Sequence, residues 1–222
     1  TRLVGSEMCI RDRDYPVPEH VTSRNLVIGI PRVLSFWETM PFWSTFFRSL
    51  GFTVRVSAPS SHKLYESGLS AVASDTVCFP AKLVHGHIRS LANMHVDRIF
   101  MPSITSVQSE NKEKTSEWMC AIVKGYPLVI KNSDNPEHVF GIPFDNPLFH
   151  WYTKEDRNEQ LTKYIHETYQ VPESEIKEAI CYADMAEDSF HQELLAEGER
   201  ILKQVTELSL IHISEPTRRV VI

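Results

Sequence analysis

The 222-residue chain is 42% hydrophobic and 23% charged and carries a net charge of −6. That balance suits one soluble α/β domain with a sizeable core and argues against a general nucleic-acid binder. No apolar run reaches membrane-spanning length and the basic residues are dispersed, so the chain reads as cytoplasmic, with neither a membrane nor a nucleic acid as partner.

The two ends stand apart from the rest. Residues 3–12 (LVGSEMCIRD) and 208–218 (LSLIHISEPTR) read as the two strands of one transposase sequencing adapter, each translated in an open frame. Residues 1–13 and 208–222 are therefore expected to be adapter-derived, the scars of a fragment cut from a longer gene, and are set aside from fold reasoning. Each carries +1, so the part between them stands at −6 − 2 = −8. Discarding Cys9 leaves Cys78, Cys120 and Cys181, an odd and widely spaced set that is no secreted disulfide framework.

From residue 14 to 152 apolar runs of strand length alternate with segments of helical period, which predicts a βαβ build and a largely parallel sheet. Residues 26–30 (LVIGI) predict a buried strand closed by Pro31. Phe36, Trp37, Met40, Trp43, Phe46, Phe47 and Leu50 recur at helical steps before Gly51, a helix stop. Their spacing reads as a core face, wide enough to suggest an interface with another domain. Residues 52–58 alternate as a second strand. A short helix over 62–67 follows, with Ser57, Ser60 and Ser61 as a loop and helix-capping cluster. Pro80 opens a helix to about Met94, residues 96–101 form the next strand, and a polar loop over 106–115 leads to a helix around 118–130. Residues 138–143 are read as a last strand and 148–152 as a connection. The segment 153–207 is helical, with helices over 154–169 and 173–205 broken at Pro172. Ile176, Ile180, Phe190, Leu194, Ile201 and Val205 lie close to one stripe of the second.

The most informative stretch is 76–88, TVCFPAKLVHGHI, which sets Cys78 at the mouth of a helix. Backbone N–H groups converge there and favour negative charge, which suits a sulfur that binds a metal or a cluster. Cys120 lies near the start of another helix, 42 positions on. In a doubly wound sheet such junctions gather at the carboxyl edge, so the two can share one crevice. Cys181 reads as a packing residue. His85 and His87 do not make a zinc site with Cys78, because positions two apart on a helix face different sides. Lys82 and His85 are candidates to line a pocket beside Cys78. His87 reads as a solvated helix residue, and Gly86 as a point of close packing against the sheet. No GxGxxG, GxxxxGK[ST] or GxSxG motif is present, so neither nucleotide binding nor a serine nucleophile is expected.

Three runs carry a family resemblance: IGIPRVLSFWETMPFWSTFFRSLGF (28–52), SDTVCFPAKLVHGHI (74–88) and CAIVKGYPLVI (120–130). They resemble the uncharacterised domain of long 2-hydroxyacyl-CoA dehydratase activase-related proteins, the acyl-CoA dehydratase activator or CoA-substrate-specific enzyme activase family. The likeness spans about residues 25–205, with Phe79 where the family usually has Tyr and Ala121 where Pro is common.

In that family the domain follows ATPase modules and is distantly similar to the iron-sulfur subunits of the dehydratases. The resemblance implies a Rossmann-like or flavodoxin-like three-layer fold. It also implies an iron-sulfur cluster of the 4Fe-4S type, held in part by Cys78 and Cys120 and completed by ligands from elsewhere. ATP would bind only on the activase modules. Partners would be those modules and a dehydratase-type subunit, in the same or another chain. The implied function is an iron-sulfur electron-transfer component of an ATP-dependent 2-hydroxyacyl-CoA dehydratase activase system, part of an enzyme rather than a complete one. A noncatalytic docking domain between activase and dehydratase, and a flavodoxin-like module for a small anion or CoA ester, are the alternatives.

Overall fold

A computed structural model describes residues 10–108 and 117–207. Of the segments expected to be adapter-derived, residues 1–9 and 208–222 lie outside the described residues while 10–13 lie within them, and most of the polar loop, 109–115, also lies outside. Four parallel strands form the central sheet: β1 (Val27–Ile30), β2 (Thr53–Val56), β3 (Arg98–Phe100) and β5 (Phe144–Asp145), in the order β2-β1-β3-β5. Two shorter parallel strands, β4 (Ser103–Ile104) and β6 (Leu148–Phe149), continue the same ladder. Amide groups of Ile99, Met101, Ser103 and Thr105 donate in turn to the carbonyls of Pro143, Asp145, Pro147 and Phe149. The ladder is thus one extended pairing with a break in strand geometry at Pro102. Arg98 and Tyr169 both donate to Asp145, the guanidinium at 2.8 Å through Nε, which fastens the two strands side by side.

The helices are α1 (Phe36–Ser49), α2 (His62–Gly68), α3 (Phe79–Asn93), α4 (Ala121–Ser133), α5 (Pro136–Phe140), α6 (Lys154–Tyr169) and α7 (Glu173–Glu207). Side chains alternate across a strand, so the pairing Gly29↔Ile99 puts Ile28, Ile30 and Phe100 on one face and Gly29 and Ile99 on the other. The first face takes α1: the Trp43 ring lies 4.8 Å from that of Phe100, and Phe47 lies 5.0 Å from it. The second takes α3, where a Cβ on Gly29 would meet Leu91 at 3.2 Å. Helices on both faces make the three-layer α/β fold anticipated from the alternating pattern.

Helix α7 packs on α1 and places Ile176, Ala179, Ile180 and Ala183 in the main core, while Phe190 joins Tyr15 and Ala186 in a second cluster. The broad aromatic face of α1 is therefore covered by the chain's own carboxyl-terminal helices rather than by another domain, and Trp37, at 44% exposure, falls outside it. Val205 of the expected stripe lies outside the described side chains. Gly51 ends α1 with φ +80°, and a Cβ there would sit 1.9 Å from the Thr22 carbonyl, so no other residue fits.

Two local expectations are corrected. Residues 138–143, read as a strand, lie in and just after α5, because Asn135 caps its N-terminus, accepting from Glu137 N at 3.0 Å, and Gly141 ends it with φ 70°. The strand instead begins at Phe144, and the presumed connection 148–152 contains β6. Helix α4 begins at Ala121 rather than near 118, because Glu117 to Met119 first run antiparallel to Thr105–Val107.

Candidate functional site

Cys78 is the N-cap of α3 and Cys120 the N-cap of α4. Both have extended ψ, near 152° and 141°, both are exposed, and neither side chain caps its own helix by a hydrogen bond. Each helix returns from the carboxyl edge of the sheet to its amino edge, so α3 and α4 run in the same direction and both cysteines stand at the carboxyl edge.

The two helices are braced to each other. His85 lies seven residues into the first run and Tyr126 six into the second, depths of about 10 Å at 1.5 Å per residue. His85 Nε2 sits 3.1 Å from the Tyr126 hydroxyl, and its Nδ1 sits 2.7 Å from Asp134. Arg89, one turn further along α3, adds two hydrogen bonds to the same carboxylate, at 2.8 and 3.2 Å. A carboxylate only accepts, so Nδ1–H donates to it, and Nε2 shares the other hydrogen bond with the Tyr126 hydroxyl. Burial alone would raise the Asp134 carboxyl, yet the His85 and Arg89 hydrogen bonds hold it below its ordinary value. Burial foremost raises the Tyr126 hydroxyl above its ordinary value, with Asp134 among the groups that add to the rise. The result is a closed polar chain, Arg89–Asp134–His85–Tyr126, running up between the helices toward Cys78.

His87, expected in solvent, is fully buried. Its Nδ1 meets Ser57 Oγ at 2.7 Å and its Nε2 meets Ser60 Oγ at 3.0 Å, while Ser57 Oγ accepts from Arg32 N at 2.8 Å. Burial foremost, and then the Arg32 charge, push its pKa down to about 4, so the ring is neutral at pH 7. The cluster ties the loops after β1 and β2 to α3. Ser61, the third serine of that turn, caps α2 by accepting from Leu64 N at 3.2 Å, as its position suggested.

Gly86 marks close packing, but against helix α2 rather than the sheet: a Cβ there would lie 2.2 Å from the Leu64 carbonyl. Lys82 Nζ donates to the Asp75 carbonyl at 2.8 Å, closing the loop before Cys78. His85 has both ring nitrogens engaged and lies wholly beneath the surface. Cys181, read as a packing residue, is exposed on α7. Around the two N-cap cysteines the surface is aromatic, with Phe79, Trp118 and Tyr152 all about half exposed or more and Lys124 set over the Trp118 ring. Tyr126, Arg89 and Asp134 were not singled out in the sequence. The one local signal was the His85 and Arg89 spacing of four residues, which puts both on one side of α3.

Among the described residues no group of three or more His, Cys, Asp or Glu side chains is arranged to hold a metal ion. Cys78 and Cys120 are both exposed, and neither belongs to such a group. No helix among the described residues is long and apolar enough to cross a membrane.

No curated protein and no solved structure matches the chain. A family model described as the CoA enzyme activase uncharacterised domain matches residues 27–220. That span contains the whole sheet, both N-cap cysteines and the His85–Tyr126 brace, and the chain belongs to the CoA enzyme activase uncharacterised-domain family.

Proposed function

We propose that this domain lends Cys78 and Cys120 to an iron-sulfur centre of an ATP-dependent CoA enzyme activase system, the remaining ligands coming from outside the described residues. The observation that carries the reading is that two exposed cysteines cap two parallel, mutually braced helices at one edge of the sheet. A cluster held there would supply one-electron chemistry. The chain's own part is to present two sulfurs at a fixed separation, with helix N–H groups behind them that favour a negatively charged centre. ATP hydrolysis belongs to activase modules other than this domain, since the β1–α1 turn PRVLS has no glycine-rich phosphate cradle. A dehydratase-type subunit is the partner that such a system reduces.

The test is anaerobic reconstitution with iron and sulfide, read by visible absorption and electron paramagnetic resonance. It uses the longest gene product that contains this domain, and the same product carrying Cys78→Ser or Cys120→Ser. Loss of bound iron and of the charge-transfer absorption in each variant is the expected result. An iron content unchanged by both substitutions overturns the proposal. A noncatalytic docking role is favoured by a different observation, the exposed rim of Phe79, Trp118 and Tyr152. It predicts binding to a dehydratase-type subunit that survives both cysteine substitutions and is lost on Trp118→Ala.

A further inference from the structure

A second, smaller site lies at the same sheet edge, on the α1 side. A cavity of about 90 Å³ opens between the start of α1, the strand pair at Ile104 and Met119, and helices α6 and α7. Trp151 lines it, is only 7% exposed, and has a buried indole Nε1–H with no hydrogen-bond partner among the described residues. A buried donor left without an acceptor is costly, so such a group calls for one. Glu187 lines the same cavity and makes no hydrogen bond to any described residue, and burial raises its carboxyl toward the neutral acid. Arg157 lines it too, its Nη2 donating to Asp184 at 2.7 Å and to Asn158 at 2.9 Å, and Lys154 also pairs with Asp184 at 2.9 Å. The remaining wall is mostly apolar, Trp43 and Met119 among it, with Ser35 and Thr39 as polar members; the Thr39 hydroxyl donates to the Ser35 carbonyl at 3.0 Å.

We propose that this cavity binds a short uncharged carbonyl compound of primary-amide type, its oxygen accepting from Trp151 Nε1–H and its tail lying among the apolar side chains. Several features select the class. The volume holds about three waters at ~30 Å³ each, or an organic group of a few heavy atoms. A carboxylate would bring an acceptor for Trp151 but no donor for the Glu187 carboxyl. An amide supplies both the acceptor that Trp151 lacks and a donor for the Glu187 carboxyl. Its place also fits, because ligands of open α/β sheets bind beyond the carboxyl ends of the strands. Met119 precedes Cys120 directly, so the ligand would lie beside the cysteine edge, yet nothing in the cavity depends on a cluster.

The test is a titration of the protein with propionamide at pH 7, followed by the indole N–H resonances of its tryptophans. The Trp151 resonance is assigned by its disappearance in Trp151→Phe. A saturable shift of that resonance at millimolar propionamide, with the exposed Trp118 resonance unmoved, is the expected result. An unmoved Trp151 resonance, or an equal shift of Trp118, overturns the site. Saturation by propionate at the same concentration overturns the uncharged class of ligand.

Discussion

Nε2 of His85 lies 3.1 Å from the Tyr126 hydroxyl, and this contact joins the helix that Cys78 begins to the helix that Cys120 begins. His85 also carries Asp134, so removing the ring strips one partner from a buried carboxylate and opens a hole between the helices. His85→Ala is expected to lower unfolding stability by about 2–4 kcal/mol. Tyr126→Phe, which leaves Nε2 without its partner, costs about 1–2 kcal/mol. Urea unfolding checks both, and a loss under 0.5 kcal/mol for His85→Ala would mean the brace is dispensable.

The buried His87 makes stability depend on pH in a definite direction. Its folded pKa is about 4 against an ordinary 6.5, so below pH 6.5 the unfolded chain takes up this proton first. The stabilisation is complete above pH 6.5 and is lost as pH falls to 4, by roughly 3–3.5 kcal/mol at most. Asp134, whose pKa is depressed from 3.8, adds its own loss only below that range. Denaturant melts between pH 7 and 4.5 should show the decline, and His87→Asn should flatten it. An equally steep decline in the variant assigns it to other groups.

Two helical glycines separate packing from propensity. Gly86→Ala drives a Cβ to 2.2 Å from the Leu64 carbonyl, where the obstacle is backbone, so a loss above about 3 kcal/mol is expected. Gly125→Ala meets nothing within 4 Å and should stabilise α4 by about 0.5–1 kcal/mol. Thermal unfolding of the pair reads both effects, and similar shifts for the two would contradict the close approach of α2 and α3.

A cysteine is a weak helix cap. Neither Cys78 nor Cys120 caps through its side chain, whereas Asp at such a position accepts from the first-turn N–H groups. Cys78→Asp and Cys120→Asp should therefore each raise stability by about 0.5–1 kcal/mol, while removing the sulfur that iron would need. Calorimetry beside iron analysis compares the two effects, and a large loss of stability would instead make the thiols structural.

Much of this fold was legible in the chain. The strand at 26–30, the aromatic stripe of α1, the Gly51 stop and the Pro80 start are local signals of period and backbone restriction, which act over a few residues. The cysteines at helix mouths were legible for the same reason. Where local signals competed, the reading failed: HVFGIP has strand composition, but Asn135 and Pro136 start a helix there and Gly141 ends it.

Sequence alone determined the alternation of elements, the parallel sheet, and which residues carry sulfur at helix starts. Tertiary structure alone decided which distant side chains meet. His85 finds Tyr126 and Asp134, His87 sinks among serines, Cys181 stays outside, and Trp151 is left with a donor that no described residue answers. The physical reason is that a buried polar atom is answered by whatever the packed layers bring within 3 Å of it, and that distance is set by the registry of helices against the sheet rather than by neighbours in the chain.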